Sequence, residues 1–456
     1  MTSVHDFGAA GDGQRDDTEA IQHALRDGEG LVEFPRGEYL ITKTIEIDLT
    51  KVGRTAITGA GGTAKIINKS AGPAFRLIGN HQGTAAPGTM KPDIWRNQRM
   101  ATIAEIEIEG AQAEADGVEL TGAVQPIIRN VGLHRLRHGI RLVNRNRNVL
   151  IEGCQIYHNT GIGIFMDGVN LHQINIVGNH VSYNRLGGIR IERSEVRNLQ
   201  ITGNGIEYNN DRSHSIESLP TAEIYIDCTA DNATVNEVTI ASNTIQATPS
   251  AGGANLRIIE NGKSAGRPPG LYAITGNVIG NQTNNVHLSG CYGITLTGNN
   301  IYSAKQLNLL LDAGCRQIIV SSNQFRRHTP DMGTGVRIQS SSDCIFTGCH
   351  VLDESEKGQA SGKPLLALED CRRVTVSASQ LIGSGTTCLA VNDCRGVIVS
   401  DCTLVPGVDD PRGIALSWTG KGFGNLLHGC RLRRGIRDDV VEEQSGVRLE
   451  NNLSSD

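Results

Sequence analysis

Gly187 to Asn209, GGIRIERSEVRNLQITGNGIEYN, holds the pattern that decides the fold. Ile189 and Ile191 alternate with Arg190 and Glu192, and Leu199 and Ile201 alternate again before a Gly203-Asn204 step. A period of two marks a half-buried strand, because successive side chains point to opposite faces. Three short strands, GIRI, NLQI and GIEY, separated by Gly and Asn turns, make one unit.

The unit recurs. Aligned on its closing Asn, Cys or Ser, the chain runs Asn130, Cys154, Asn179, Asn204, Asn243, Asn277, Asn299, Asn323, Cys349, Ser379, Cys402 and Cys430. The intervals are 24, 25, 25, 39, 34, 22, 24, 26, 30, 23 and 28 residues. Self-similarity at that period marks a solenoid. A leucine-rich repeat would need an LxxLxLxxN pattern, which does not occur. The spacing therefore predicts an all-β, three-faced, right-handed parallel β-helix. Asn at a fixed turn tolerates a left-handed backbone and can hydrogen-bond the Asn of the next coil. Residues 1–115 read as an N-terminal cap and first coils, and 116–456 as regular coils of the same continuous domain. The long intervals hold insertions at 209–221, 247–253 and 261–270, and residues 80–99 read as a further flap.

Composition agrees with that reading. Glycine is abundant at 55 residues, aromatics make up only 4%, and the net charge is −5. Such a chain has no basic footprint for nucleic acid. No apolar run is long enough to span a membrane. The opening MTSVHDFGAAGDG lacks the basic start and apolar stretch of a secretion signal. The 11 cysteines include no CxxC pair. Cys291, Cys315, Cys344, Cys371 and Cys394 each precede an apolar alternation and read as small buried hydrophobes. Unpaired thiols lean towards a reducing compartment.

Near the N-terminus, Asp16-Asp17-Thr18 precedes Ile21, Ala24 and Leu25 at helical spacing, which predicts a short capped helix. Laid across the end of the solenoid, it would cover the open core and the unpaired strand edges. The residues Asp6-Phe7-Gly8-Ala9, Gly11-Asp12-Gly13, Asp16-Asp17-Thr18 and Ala20-Ile21-Gln22, then Phe34-Pro35, Gly37 and Tyr39, resemble the opening of the pectate-lyase-like β-helix superfamily. The resemblance implies a β-helix that acts on or binds carbohydrate, as a monomer or a homo-trimer, often secreted or periplasmic. The coils SGCYGITLTGNNI and AGCRQIIVSSNQF are also similar to coils of inulin fructotransferases. The Asp-Pro-His-Glu motif of alginate epimerases is absent.

Aligning the first strand of each coil brings out two outward columns. One runs Arg141, Phe165, Arg190, Tyr225, Arg257 and His287. The other runs Asp167, Glu192 and Asp227, then Ser289 and Asp312, with Glu260 nearby and Glu223 placed on the same face. A ladder of like charges destabilises a sheet unless something offsets it. Three stacked acids beside Arg, Tyr and His are therefore the expected catalytic set, Asp167, Glu192 and Asp227. Arg190, Tyr225, Arg257, His287, Phe165, Glu223 and Glu260 are the expected substrate contacts, with Phe165 and Tyr225 stacking on sugar rings. Crowding is expected to raise the pKa of at least one acid. Glycosidic cleavage of a poly- or oligosaccharide, by hydrolysis or transglycosylation, needs two carboxyl groups, one protonated and one ionised, and no metal or other cofactor. The alternative is β-elimination on a uronic-acid glycan. There Arg190 or Arg257 would neutralise the substrate carboxylate, Tyr225 or His287 would take the proton, and the acids could hold Ca²⁺. A second alternative is a non-catalytic, tailspike-like glycan binder. His214 and Glu217 read as loop residues able to close over the groove.

Overall fold

The computed structural model describes all residues except 85, 210–220, 262–269, 328–331, 334, 354–362, 384–386, 408–412, 434–438 and 456. The strands lie in three parallel sheets, and successive coils add one strand to each, which makes the parallel β-solenoid that the alternation predicts. Parallel pairing between coils needs no hairpin, since each strand finds its partner one turn away. The chain divides into two compact units, Met1–Ser215 with Thr221–Thr239, and Ile216–Pro220 with Ile240–Asp456.

In the first unit the predicted helix spans Thr18–Asp27 and buries Ile21, Ala24 and Leu25. Asp17 occupies its N-cap position but makes no capping bond. Its carboxylate accepts instead from the Ala10 and Gly11 N–H groups at 2.6 and 3.0 Å. Asp16 takes over at the helix start, accepting from the Thr18 N–H at 3.0 Å. The helix closes the sheet edge chemically. Gln22 Nε2 donates to the Glu46 carbonyl at 2.8 Å, and Gln22 Oε1 accepts the Glu46 N–H at 3.0 Å. Glu46 lies in the edge strand Ile45–Asp48, so one amide side chain stands in for a neighbouring strand.

Register then propagates coil by coil. Ile164 pairs with Ile189 and Ile189 with Ile224, and all three are fully buried. The repeating Asn turns inward. Asn179 Nδ2 donates to Asn204 Oδ1 at 3.0 Å, and Asn204 Nδ2 donates to the Ile176 and Thr202 carbonyls at 3.0 and 3.1 Å. A parallel ladder links Asn159 to Asn184 and Asn184 to Asn209, at 2.7 and 2.6 Å. Each buried amide satisfies turn carbonyls that would otherwise be orphaned, at about 1–3 kcal/mol per group. One expectation is corrected here. Asn130 carries the left-handed backbone itself, with φ of 51°, but before Asn179 and Asn204 it falls to the preceding residue, with φ of 65° at Gly178 and 67° at Gly203. In the ladder the Asn is kept for its side chain.

The second unit repeats the device. Asn243, Asn277, Asn299 and Asn323 form one ladder at 3.0, 2.9 and 2.9 Å, and Asn255, Asn285 and Asn308 another at 2.9 and 2.6 Å. Cysteine takes Asn's place in several later turns. The Cys291 N–H donates to Cys315 Sγ at 3.3 Å, Cys371 to Cys394 at 3.3 Å, and Cys402 to Cys430 at 3.4 Å. All eleven cysteines are buried, as their recurrence at equivalent positions implies.

Candidate functional site

In the first unit the strands Ile140–Val143, Ile162–Asp167, Gly187–Glu192 and Ala222–Cys228 lie side by side in one sheet. Arg141 pairs with Phe165, Phe165 with Arg190, and Arg190 with Tyr225. Asp167 pairs with Glu192 and Glu192 with Asp227, so the three acids stack on consecutive strands as their spacing predicts. Neighbouring coils stand about 4.8 Å apart.

Arginines hold most of this stripe together. Asp167 accepts from Arg141 Nη2 at 2.7 Å and from Arg193 Nη2. Glu192 accepts from Arg190 Nε at 2.5 Å and from Arg193 Nη1 at 3.3 Å. Arg193 sits in the left-handed corner after its strand, with φ of 50°, and bridges both acids. It lies outside the alternating columns, so strand alignment did not single it out. Asp227 lacks a guanidinium partner among the described residues. It accepts from the Thr229 N–H at 2.9 Å, the Thr229 hydroxyl at 2.6 Å and the Tyr225 hydroxyl at 3.2 Å.

The rise expected from crowding does not occur at Asp167. Burial pushes the Asp167 carboxyl up, but the hydrogen bonds and charges of Arg141 and Arg193 outweigh it and hold the pKa below the ordinary value. Crowding with other acids does not decide its ionisation, because the guanidiniums are closer.

The rings and Glu223 also depart from expectation. Phe165 and Tyr225 are 7% and 6% exposed. Phe165 packs against His138 with centroids 5.3 Å apart, and Arg190 lies 4.9 Å from the Tyr225 ring centre. Their faces are covered, so these rings shape the stripe from beneath. Glu223 does not face outward. It is fully buried and ends the inner ladder, accepting from the Asn209 N–H at 2.9 Å and from Asn209 Nδ2 at 2.6 Å. Burial raises its pKa to about 8 against those hydrogen bonds. Its register place is that of Gly188, where a Cβ would meet Asn209 Nδ2 and the buried Ile206 side chain inside the coil.

In the second unit Arg257 pairs with His287, and Ser289 with Asp312. His287 Nε2 lies 3.0 Å from Asp312 Oδ2. Burial raises the Asp312 pKa, but the hydrogen bonds from His287 and Ser289 prevail and it stays lowered. Arg257 is 7% exposed and donates to the Gly252 carbonyl. Glu260 is not an open-groove residue. It is buried, accepts from the Tyr292 N–H at 3.1 Å, and burial raises its pKa to about 8. His214 and Glu217 lie outside the described residues.

Comparison with known proteins bears on the fold. A family model for the right-handed β-helix region matches residues 93–240 and 222–432. A second model, described as rhamnogalacturonase A/epimerase, pectate lyase-like, matches residues 1–85. No curated protein matches. Among solved structures, the Dettilon tailspike protein is similar with a TM-score of 0.58 and 14% identity, over 76% of this chain and 66% of that one. The tailspike protein gp49 from Pseudomonas phage LKA1 is similar with a TM-score of 0.51 and 12% identity, over 98% of this chain and 84% of that one.

Proposed function

The chain belongs to the right-handed β-helix family, and on that premise we propose that it is a carbohydrate-active enzyme that cleaves glycosidic bonds along the acidic stripe. The pectate-lyase-like match over residues 1–85 supports a carbohydrate substrate. The observation that carries the reading is the asymmetry within the stripe. Glu192 is clamped by two arginines, whereas its neighbour on the next strand, Asp227, has among the described residues hydroxyl and amide partners only.

Two carboxyl groups in different surroundings are what glycoside chemistry requires. Adjacent strands place them near the separation of about 5 Å at which one acts as nucleophile and the other as acid, then base. Glu192, and Asp167 behind it, supply fixed negative charge to the reacting carbon. Asp227, through Oδ2, which accepts from the Tyr225 hydroxyl at 3.2 Å, serves the leaving oxygen. Arg141, Arg190 and Arg193 position the acids and donate to sugar hydroxyls. The test is turnover of a polysaccharide panel by Glu192→Gln and Asp227→Asn, read as new reducing ends. A fall of 10³-fold or more is expected for each, the scale of losing an essential acid or nucleophile. Full activity in both removes the stripe from the reaction.

One observation favours a second reading, β-elimination. His287 is held by Asp312 at 3.0 Å, with Arg257 on the adjoining strand. A product carrying a conjugated double bond would select it. The oxygens of Asp167 and Glu192 are already taken by arginines, which makes them a poor donor set for Ca²⁺. Retention of a glycan without turnover would select the non-catalytic binder.

A further inference from the structure

Around the Asn144 corner from the acidic stripe, the first unit carries a basic cluster that the proposed cleavage does not use. The strand Arg145–Glu152 presents Arg145 and Arg147 on one side and buries Asn146 on the other. Pairing continues Arg147 into a column with His172 and Arg197 on the following strands, and with Val124 and Arg99 on the preceding ones. Four of five successive positions are therefore Arg or His. A stack of like charges at coil spacing is destabilising without a counter-charge.

Among the described residues, the centre of the cluster is short of partners. Arg145 is 8% exposed, and neither its Nε nor its Nη2 meets an acceptor. His81 is fully buried, and neither ring nitrogen has a partner. The two are brought together by backbone. The His81 N–H donates to the Gly122 carbonyl at 3.1 Å, and the Gly122 N–H donates to the Arg145 carbonyl at 2.6 Å. His172 Nδ1 and Arg99 Nε are also buried and unpaired. Glu195 favours the charged form of Arg145 from a distance but makes no hydrogen bond to it, its oxygens being engaged by Arg197 and Asn170 at 3.3 and 2.8 Å. Arg147 keeps one link to the flap, from Nη1 to the Thr84 carbonyl at 3.4 Å. Burial and the neighbouring Arg147 charge lower the Arg145 pKa, which is the opposite of a satisfied ion pair.

A buried guanidinium without a counter-ion in hydrogen-bond contact is strongly unfavourable. A sequence that keeps one beside a second arginine and a donor-capable imidazole has placed it for a ligand. We propose that Arg145, Arg147 and His81, flanked by His172 and Arg99, form an oxyanion-binding site under the 80–99 flap. The ligand is a carboxylate, sulfate or phosphate group, carried by an acidic glycan or free in solution. Planar, forked donors suit such groups, because two N–H bonds meet two oxygens at once.

The test is direct binding, independent of any turnover. Calorimetry on the full chain would use inorganic phosphate, inorganic sulfate and an oligogalacturonate as probes at matched ionic strength. Saturable binding is expected, weakened at least tenfold by Arg145→Gln. Arg147→Gln should weaken it similarly, and it keeps the question open to experiment if the Arg145 variant does not fold. Oligogalacturonate binding tenfold or more above both inorganic ions identifies a glycan as the source. Comparable affinities identify a free anion. Thermal unfolding gives a second readout, since millimolar probe should raise the wild-type Tm but not that of Arg147→Gln. Absence of saturable binding for all three probes, or binding that both variants retain, overturns the site.

Discussion

Replacing Glu223 by Gln should stabilise the protein at alkaline pH and leave it unchanged in acid. Glu223 is fully buried at the end of the Asn159–Asn184–Asn209 ladder, and its pKa is raised from 4.5 to about 8. The sign follows from proton linkage. Below about pH 4.5 the folded and unfolded chains both hold the proton, and no penalty arises. Between 4.5 and about 8 the unfolded chain releases it and the folded chain does not, so stability falls as pH rises. Above about 8 the penalty is constant. Each tenfold change in proton affinity is 1.36 kcal/mol, so the ceiling is about 5 kcal/mol. Gln keeps an oxygen for the Asn209 N–H and Nδ2 and has no proton to lose. For a body of 150–250 residues, 1 kcal/mol moves Tm by about 2–4 °C, so the variant should melt up to about 10–20 °C higher at pH 9. The assay is the wild-type-minus-variant difference in Tm from pH 4 to 9, which cancels every other titrating group. Hydrogen exchange at the Asn209 amide locates the effect, because a solenoid need not unfold in one step. Parallel melting curves across the whole range, or a variant less stable at pH 9, would refute the reasoning.

Other outcomes follow from the same contacts. Asn204→Ala removes the acceptor of Asn179 and the donors to Ile176 and Thr202, and should cost about 2–4 kcal/mol, measured by denaturant unfolding. Gln22→Ala strips two bonds from the Glu46 edge and should cost about 1–3 kcal/mol, with faster exchange at the Glu46 amide and little change in the second unit. Arg193→Met takes the shared partner from Asp167 and Glu192, so the Asp167 pKa should rise towards its ordinary value, measured by carboxyl NMR titration. Activity dependent on ionised Asp167 should then be lost at a higher pH as the solution is acidified.

Much of the fold is written in local chemistry. Alternation in GIRI and NLQI, recurring with Asn or Cys, determined parallel coils because a period-two strand can bury only one face and a fixed repeat supplies the covering neighbour. The same arithmetic put Asp167, Glu192 and Asp227 in one column, since register between coils preserves position along the strand. What the sequence by itself left undetermined was everything set at corners. Glu223 reads as one more outward acid, but its side chain is turned inward to Asn209. Arg193 lies outside the alternation, yet a left-handed corner swings it across two acids. His81 and Arg145 are 64 residues apart and share no motif. Only the winding of the chain past Gly122 brings them into one buried, unneutralised cluster. Strand periodicity is a local property that survives in the linear text. Side-chain partnership across coils depends on corner geometry and burial, which exist only once the chain has closed on itself.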